Sequence, residues 1–372
     1  MTESVASNGA IDFQLNDEER DDLESAEPIV AQISYASQDF DIEGLVRRMK
    51  NGDIEVPSFG SDDPDLETAG FQRGFVWTRK QMDRFIESLL LGYPIPGLFL
   101  VRQQSDKRYL VLDGQQRLRT LEAFYSGIYA EKVFALTNVA DEFKNLTYSK
   151  LPAALRRTLD NSFIQATVVS TDGSPTSLEA VYQIFERLNS GGTQLTPHEI
   201  RIALYAGPFI AALAHLNENS DWRSLYGSRS PRLRDQELLV RILALYVNSA
   251  GYSRPLKSFL NDFVGAHRLS PEDLSSEIRL FESAVAMLAS TVGAGAFRKS
   301  SSQVNAAKAE ALLVGLMRAI NANSITDDEL ATRVDVLESD AEFDQATSRS
   351  TADEAVVTAR LTIATNVLSA TT

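Results

Sequence analysis

The sequence predicts an α+β protein whose first part mixes strands and helices, in α/β or α+β fashion, and whose second part is helical throughout. Three observations carry this expectation. Runs of β-forming residues at Leu98–Arg102, Arg108–Leu112 and Phe163–Val169 all lie in the first half of the chain. From Pro175 onward, apolar residues return at helical spacing in one segment after another. A length of 372 residues exceeds one ordinary domain, so two units are expected, each able to bury its own core.

Within the first part, Asp41–Lys50 (DIEGLVRRMK) reads as a short amphipathic helix and Ile54–Phe59 as a short, proline-limited strand. A polar loop, SDDPDLETAG, precedes Phe71–Trp77 (FQRGFVW). Thr78 can then cap a helix over Arg79–Leu91, with Gln81 completing a capping box. Leu98–Arg102 and Arg108–Leu112, parted by polar residues, suggest a hairpin, and Gly114–Ile128 has helical spacing through Leu118, Leu121 and Phe124. The helix SLEAVYQIFERLN runs to the Gly191–Gly192 pair, where glycine suits a C-cap, and Thr196-Pro197-His198-Glu199 starts the next helix with its own box. Further helical segments are Gln236–Val247, Pro271–Ala289, Val304–Ile320, Asp327–Leu337 and Ala352–Leu368. The expected organisation is an acidic, disordered arm over 1–35, a first domain over 36–192 and a helical domain over 193–372.

Composition narrows the function. Residues 1–30 hold nine acidic side chains and one basic, which accounts for about half of the net charge of −15 and marks a solvated arm. Such acidity argues against a nonspecific nucleic-acid coat but leaves local basic patches open. One patch is Arg223, Arg229, Arg232 and Arg234 in the Ser/Gly/Pro-containing stretch WRSLYGSRSPRLRD, read either as a DNA contact or as a solvated loop between helices. The longest apolar run, Ile200–Leu216, is interrupted by Arg201 and Pro208, so no membrane span is expected. With no secretory signal and no cysteine, a cytoplasmic location without disulfides, thiolate nucleophiles or Cys-ligated zinc is expected. No glycine is followed by lysine, which removes the P-loop, and His198, His215 and His267 are too scattered for a zinc-protease or His-Asn-His nuclease motif.

The strand–loop–helix Tyr109–Leu121 (YLVLDGQQRLRTL) carries the strongest chemistry. A strand ending in Asp113, then Gly114, then a helix, turns backbone amides outward at the positive end of a helix dipole, where anions bind. Gly114 admits a phosphate close to the backbone, Gln115 and Gln116 offer amide hydrogen bonds, and Arg117 can grip phosphate oxygens in a fork. Asp113 could cap the helix, bind Mg²⁺ or orient a water. The same residues also describe a plain Asp-Gly turn with a surface arginine. Gln72-Arg73-Gly74, among Phe71, Phe75 and Trp77, could bind an anion and stack a base, or could be core aromatics beside an exposed arginine. Arg187 and Asn189 in FERLNSGGTQLTPHEI gain interest only beside the other two clusters.

Taken in order, FQRGFVW, VLDGQQRLRTL and FERLNSGGTQLT resemble the N-terminal domain of the GmrSD type IV restriction systems, with DGQQR the most specific block. The resemblance is strong over roughly residues 40–205 and weak beyond. It implies a compact mixed-sheet domain of ParB/sulfiredoxin type that binds and hydrolyses a nucleoside triphosphate with Mg²⁺ in bacterial defence against phage DNA. By motif, catalysis would fall on Asp113, Gln116 and Arg117, the metal on Asp113, and nucleotide binding on Gln72, Arg73, Gly114, Gln115 and Asn189. The chain departs from many members of that family in having no histidine after His267, so a cutting domain would reside on another polypeptide. The implied partners are a nucleotide, DNA, a separate nuclease or modification-system subunit and further copies of this chain, with no membrane. A DNA-binding sensor that hydrolyses nothing and a non-catalytic assembly protein are the alternative readings.

Overall fold

The computed structural model describes residues 33–56, 77–103, 107–188, 195–299, 303–349 and 351–370. They form two compact units that divide between residues 194 and 195.

In the first unit, β1 (Ser34–Asp41) runs into α1 (Ile42–Lys50), which Asp41 caps by accepting the Gly44 amide at 2.6 Å. β2 (Ile54–Glu55) precedes α2 (Arg79–Leu90), whose Thr78–Gln81 capping box forms as the sequence predicts. β3 (Leu98–Arg102) and β4 (Tyr109–Asp113) form the expected antiparallel hairpin, and α3 (Gln115–Ser126) follows. The short hairpin β5 (Ile128–Tyr129) and β6 (Lys132–Val133) leads to α4 (Ala153–Asp160), β7 (Phe163–Ser170) and α5 (Pro175–Leu188).

Five strands make one mixed sheet in the order β1-β7-β3-β4-β2. β7 runs antiparallel to β1 and parallel to β3, while β4 runs antiparallel to β3 and parallel to β2. Leu98, Leu100, Tyr109 and Val111 join the core formed with α1 to α4. Val101, Leu110 and Leu112 alternate with them and are buried on the other face, where α5 packs against β4. With both faces covered, β4 reads as a continuous apolar run up to Asp113, and this is why the sequence shows YLVL without alternation.

β1 was not visible in the sequence, and it begins inside the stretch assigned to the acidic arm. Its residues Ser34–Asp39 are exposed on both faces, so SYASQD carries no alternation, and the strand owes its form to pairing with β7. Of the strand expected at Ile54–Phe59, Ile54 and Glu55 are seen and residues 57–59 lie outside the described residues.

Asp83, fully buried in α2, is the main polar fixture of this unit. Its carboxylate accepts the Thr137 and Asn138 amides at 3.2 and 2.9 Å, their side chains at 2.9 and 2.8 Å, and Arg79 Nε at 3.0 Å. Desolvation alone would raise its pKa, yet the hydrogen bonds from Asn138 and Thr137, with the charge of Arg79, outweigh it and hold the carboxyl below its ordinary value. A depressed pKa means that stability is full above the unfolded value near 3.8 and is lost as pH falls through the folded value. Asp83→Ala is expected to destabilise this unit by about 3 kcal/mol at pH 7, because it orphans several buried donors. In urea unfolding, that difference should shrink below pH 4, and a constant difference down to pH 2 would refute the assignment.

The second unit is helical, as predicted: α6 (Pro197–Leu204), α7 (Pro208–Leu216), α8 (Ser220–Tyr226), α9 (Arg234–Asn248), α10 (Leu256–His267), α11 (Ser275–Thr291), α12 (Ala306–Asn321), α13 (Asp327–Glu338), α14 (Ala341–Ala346) and α15 (Glu354–Ser369). α12 is central, buried along most of its length and packed against α9, α11 and α15. Inside this core, Glu310 receives Arg241 Nε at 2.8 Å and Arg360 Nε at 2.9 Å, and all three residues are buried. The stretch WRSLYGSRSPRLRD, expected as loop, is partly helical: Asn219 caps α8, Trp222 is buried against Phe281 and Phe297, and Arg234 opens α9. Among the described residues no helix is long and apolar enough to cross a membrane.

Candidate functional site

The candidate site is the turn between β4 and α3. β4 delivers Asp113 to the end of the sheet, and the chain reverses through Gly114, which lies in the left-handed region at φ 100°. An ideal Cβ on Gly114 would meet Leu98 Cδ2 at 2.2 Å, so both the backbone angle and the packing of β3 require glycine there. Leu98 is therefore the unrecognised partner of the motif, and its only signal in the sequence was its place in an apolar strand.

Gly114 is also the N-cap of α3 and supplies no side-chain cap. The expectation that Asp113 might serve as cap is corrected: its carboxylate instead accepts Arg117 Nη2 at 2.6 Å, one helical turn on, and is half exposed. The first helical amides thus have no capping side chain at the positive end of the helix dipole. Arg117 lies in the first turn of α3. Its side chain is 12% exposed, Nη2 is held by Asp113, and Nε is buried with no hydrogen-bond partner among the described residues, as is the Nε of Arg156 and of Arg223. A buried guanidinium N–H without an acceptor costs about 1–3 kcal/mol, and an incoming anion would satisfy it.

Gln115 is half-buried at the first position of α3. Gln116 turns the other way: its side-chain oxygen accepts the Trp77 amide at 3.2 Å, and Thr120 Oγ1 donates to its carbonyl at 2.7 Å. Trp77 in turn packs edge-on against Phe85 at 5.5 Å. Gln116 therefore fastens the start of α2 to the turn. Gln72, Arg73 and Asn189 lie outside the described residues.

The arginine cluster does not assemble as a basic surface. Arg232 is fully buried against Glu199 at 3.3 Å, so its assignment to DNA is corrected: a guanidinium without exposed surface has nothing to offer a phosphate. Arg223 pairs with buried Asp235 at 2.9 Å and donates to Asn217, and Arg229 pairs with Glu218. Arg234 starts α9 and has an interaction of its own.

Asp113 is a single half-exposed carboxylate, and among the described residues no group of three or more His, Asp or Glu could hold a metal ion. The turn fits an anion first, and a divalent cation only as one that phosphate oxygens largely coordinate. Near the chain's second motif, Thr196 and Glu199 form the predicted box, and burial with the neighbouring charge of Arg201 pushes the His198 pKa well down, keeping the ring neutral. That neutral ring meets Arg201 Nη1 through Nδ1 at 3.0 Å, a structural pairing inside the helical unit.

No curated protein matches this chain. Residues 42–206, from α1 through the end of α6, match the family model described as GmrSD restriction endonuclease, N-terminal domain.

Proposed function

We propose that the Asp113–Arg117 turn binds the phosphates of a nucleoside triphosphate and that the chain is a nucleotide-responsive component of a phage restriction system. The match of residues 42–206 to the GmrSD N-terminal domain supports the restriction role. The buried Nε of Arg117, with no hydrogen-bond partner among the described residues, beside a helix start without a side-chain cap is the observation that carries the ligand reading.

In this reading the first amides of α3 hold one phosphate and Gly114 lets it approach the backbone. Arg117 contributes Nε and, by relaxing its pairing with Asp113, a second nitrogen for a two-point grip. Asp113, released by that exchange, becomes available to orient a water for attack on the terminal phosphorus. Mg²⁺ arriving on the nucleotide would supply charge neutralisation for the phosphates. Gln116 acts by position, since it ties the segment ahead of α2 to the turn.

Arg117→Ala is expected to weaken nucleotide affinity by about tenfold to a hundredfold, the loss of a charge-assisted pair of hydrogen bonds. Asp113→Asn is expected to leave binding within about threefold and abolish phosphate release. Calorimetry with Mg-ATP and Mg-GTP, paired with a phosphate-release assay, checks both. Equal affinity of the wild type and Arg117→Ala would reject the reading.

A further inference from the structure

A second site lies at the opposite end of the same sheet. The register places Ser34, Ser170, Arg102 and Tyr109 side by side at the end of β1, β7, β3 and β4, whereas Asp113 sits beside Phe99. The two rows are three residues of β3 apart, about 10 Å at about 3.3 Å per residue. At the Arg102 end there is a cavity of about 610 Å³. That is within the range of about 300–1,000 Å³ typical of small-molecule sites.

The cavity's chemistry is cationic and hydroxyl-rich. Arg102 and Lys107 line it, and neither has a carboxylate partner among the described residues. In the same unit Arg79, Arg108 and Arg117 are each ion-paired. The hairpin fixes the cations: Gln103 donates its amide to the Arg108 carbonyl at 2.9 Å, and Lys107 returns its own to Gln103 at 3.1 Å. The one lining carboxylate, Asp172, is committed to the Ser174 amide and hydroxyl at 2.9 and 2.7 Å. Ser34, Ser170 and Thr176 add hydroxyls with no hydrogen-bond partner among the described residues, while Thr171 and Ser177 bond each other at 2.8 Å.

The start of α5 is not the attraction, because Ser174 already accepts the Ser177 and Leu178 amides through its hydroxyl and carbonyl. Recognition falls to Arg102, Lys107 and the hydroxyls of Ser34, Ser170 and Thr176. A guanidinium and an ammonium with no carboxylate partner among the described residues, in a cavity of this size, match a small phosphorylated molecule that the hydroxyls can also hydrogen-bond. We propose that this cavity is a second ligand site, independent of the Asp113–Arg117 turn, for a phosphorylated small molecule.

The test uses the full chain and pyrophosphate as probe, followed by calorimetry at fixed ionic strength. The wild type, Arg117→Ala, Arg102→Ala/Lys107→Ala and the triple variant are compared. Arg102 and Lys107 are exposed, so their removal should leave the circular dichroism spectrum unchanged. The expected result is pyrophosphate binding that survives Arg117→Ala and falls at least tenfold when Arg102 and Lys107 are also removed. The proposal is overturned if Arg117→Ala eliminates all binding, or if the triple variant binds within twofold of Arg117→Ala. It is equally overturned if a 20-base-pair duplex binds through Arg102 and Lys107 while pyrophosphate does not. Failure here leaves the nucleotide reading standing, since that reading is decided by Arg117→Ala alone.

Discussion

Gly114→Ala is expected to destabilise the first unit by roughly 4 kcal/mol, enough to depopulate it near physiological temperature. About 1–3 kcal/mol comes from forcing a Cβ residue to φ 100°, and about 1–3 more from the overlap of that Cβ with Leu98 Cδ2. The two contributions can be separated. Leu98→Ala should cost about 2–5 kcal/mol through a cavity, because Leu98 is fully buried. In the double variant the overlap disappears, so its loss should be smaller than the sum of the singles by about 1–3 kcal/mol. Additive losses in urea unfolding would show that no clash exists and that the glycine serves the backbone angle alone. Any loss of nucleotide affinity in Gly114→Ala must be read after correction for the unfolded fraction.

Glu310→Ala should be the most damaging substitution in the helical unit, at about 3–5 kcal/mol or more. It strips the anion from two buried guanidinium groups, Arg241 and Arg360, which have almost no exposed surface through which to recover solvation. Replacing all three with Glu310→Leu, Arg241→Met and Arg360→Met should restore most of the loss, since the desolvation cost of the charges goes with them. The measurement is thermal unfolding of the single and triple variants. A triple variant no more stable than Glu310→Ala would mean that the triad contributes net stability that apolar packing cannot replace.

What could be read from the sequence was what short-range chemistry decides. The Thr78–Gln81 and Thr196–Glu199 boxes were legible because each closes within one helical turn. The β3–β4 hairpin and α3 were legible for a similar reason: polar residues interrupt two apolar runs, and a glycine precedes a periodic helix. β1 was illegible because its pairing partner is remote in sequence and its residues Ser34–Asp39 are exposed on both faces. Helices α4, α7, α8 and α10 also escaped notice. Pro208 and the Ser/Gly/Pro content around α8 looked like interruptions, whereas burial of Phe209 and Trp222 decides the matter in three dimensions.

The site divides along the same line. Asp113, Gly114 and Arg117 were legible as a motif, but their arrangement was not. That Arg117 holds Asp113 and keeps a buried nitrogen unsatisfied depends on side-chain conformation. That Gln116 reaches Trp77 depends on packing between α2 and α3. Arg232 misled because charge in a loop-like stretch suggests exposure, while its counter-ion Glu199 lies on another helix. Arg102 and Lys107 drew no notice as ordinary hairpin residues, and only the alignment of three strand ends makes them a pair.

The position of β7 in the sheet also sets the order in which this unit can be built. β7 lies between β1 and β3, so Ser34 must wait for Ser170 and Leu98 for Ala166 before either ladder closes. The Asp113–Arg117 turn is therefore synthesised well before the strand that completes the sheet. Such distant pairings slow folding, because the entropy of closing a long loop is lost before the contacts form. On the ribosome, the β3–β4 hairpin and α3 would emerge as a partly supported fragment with apolar strand edges open to solvent. The exposed, polar outer strand β1 completes the assembly last, leaving the finished edge with SYASQD rather than an apolar strand.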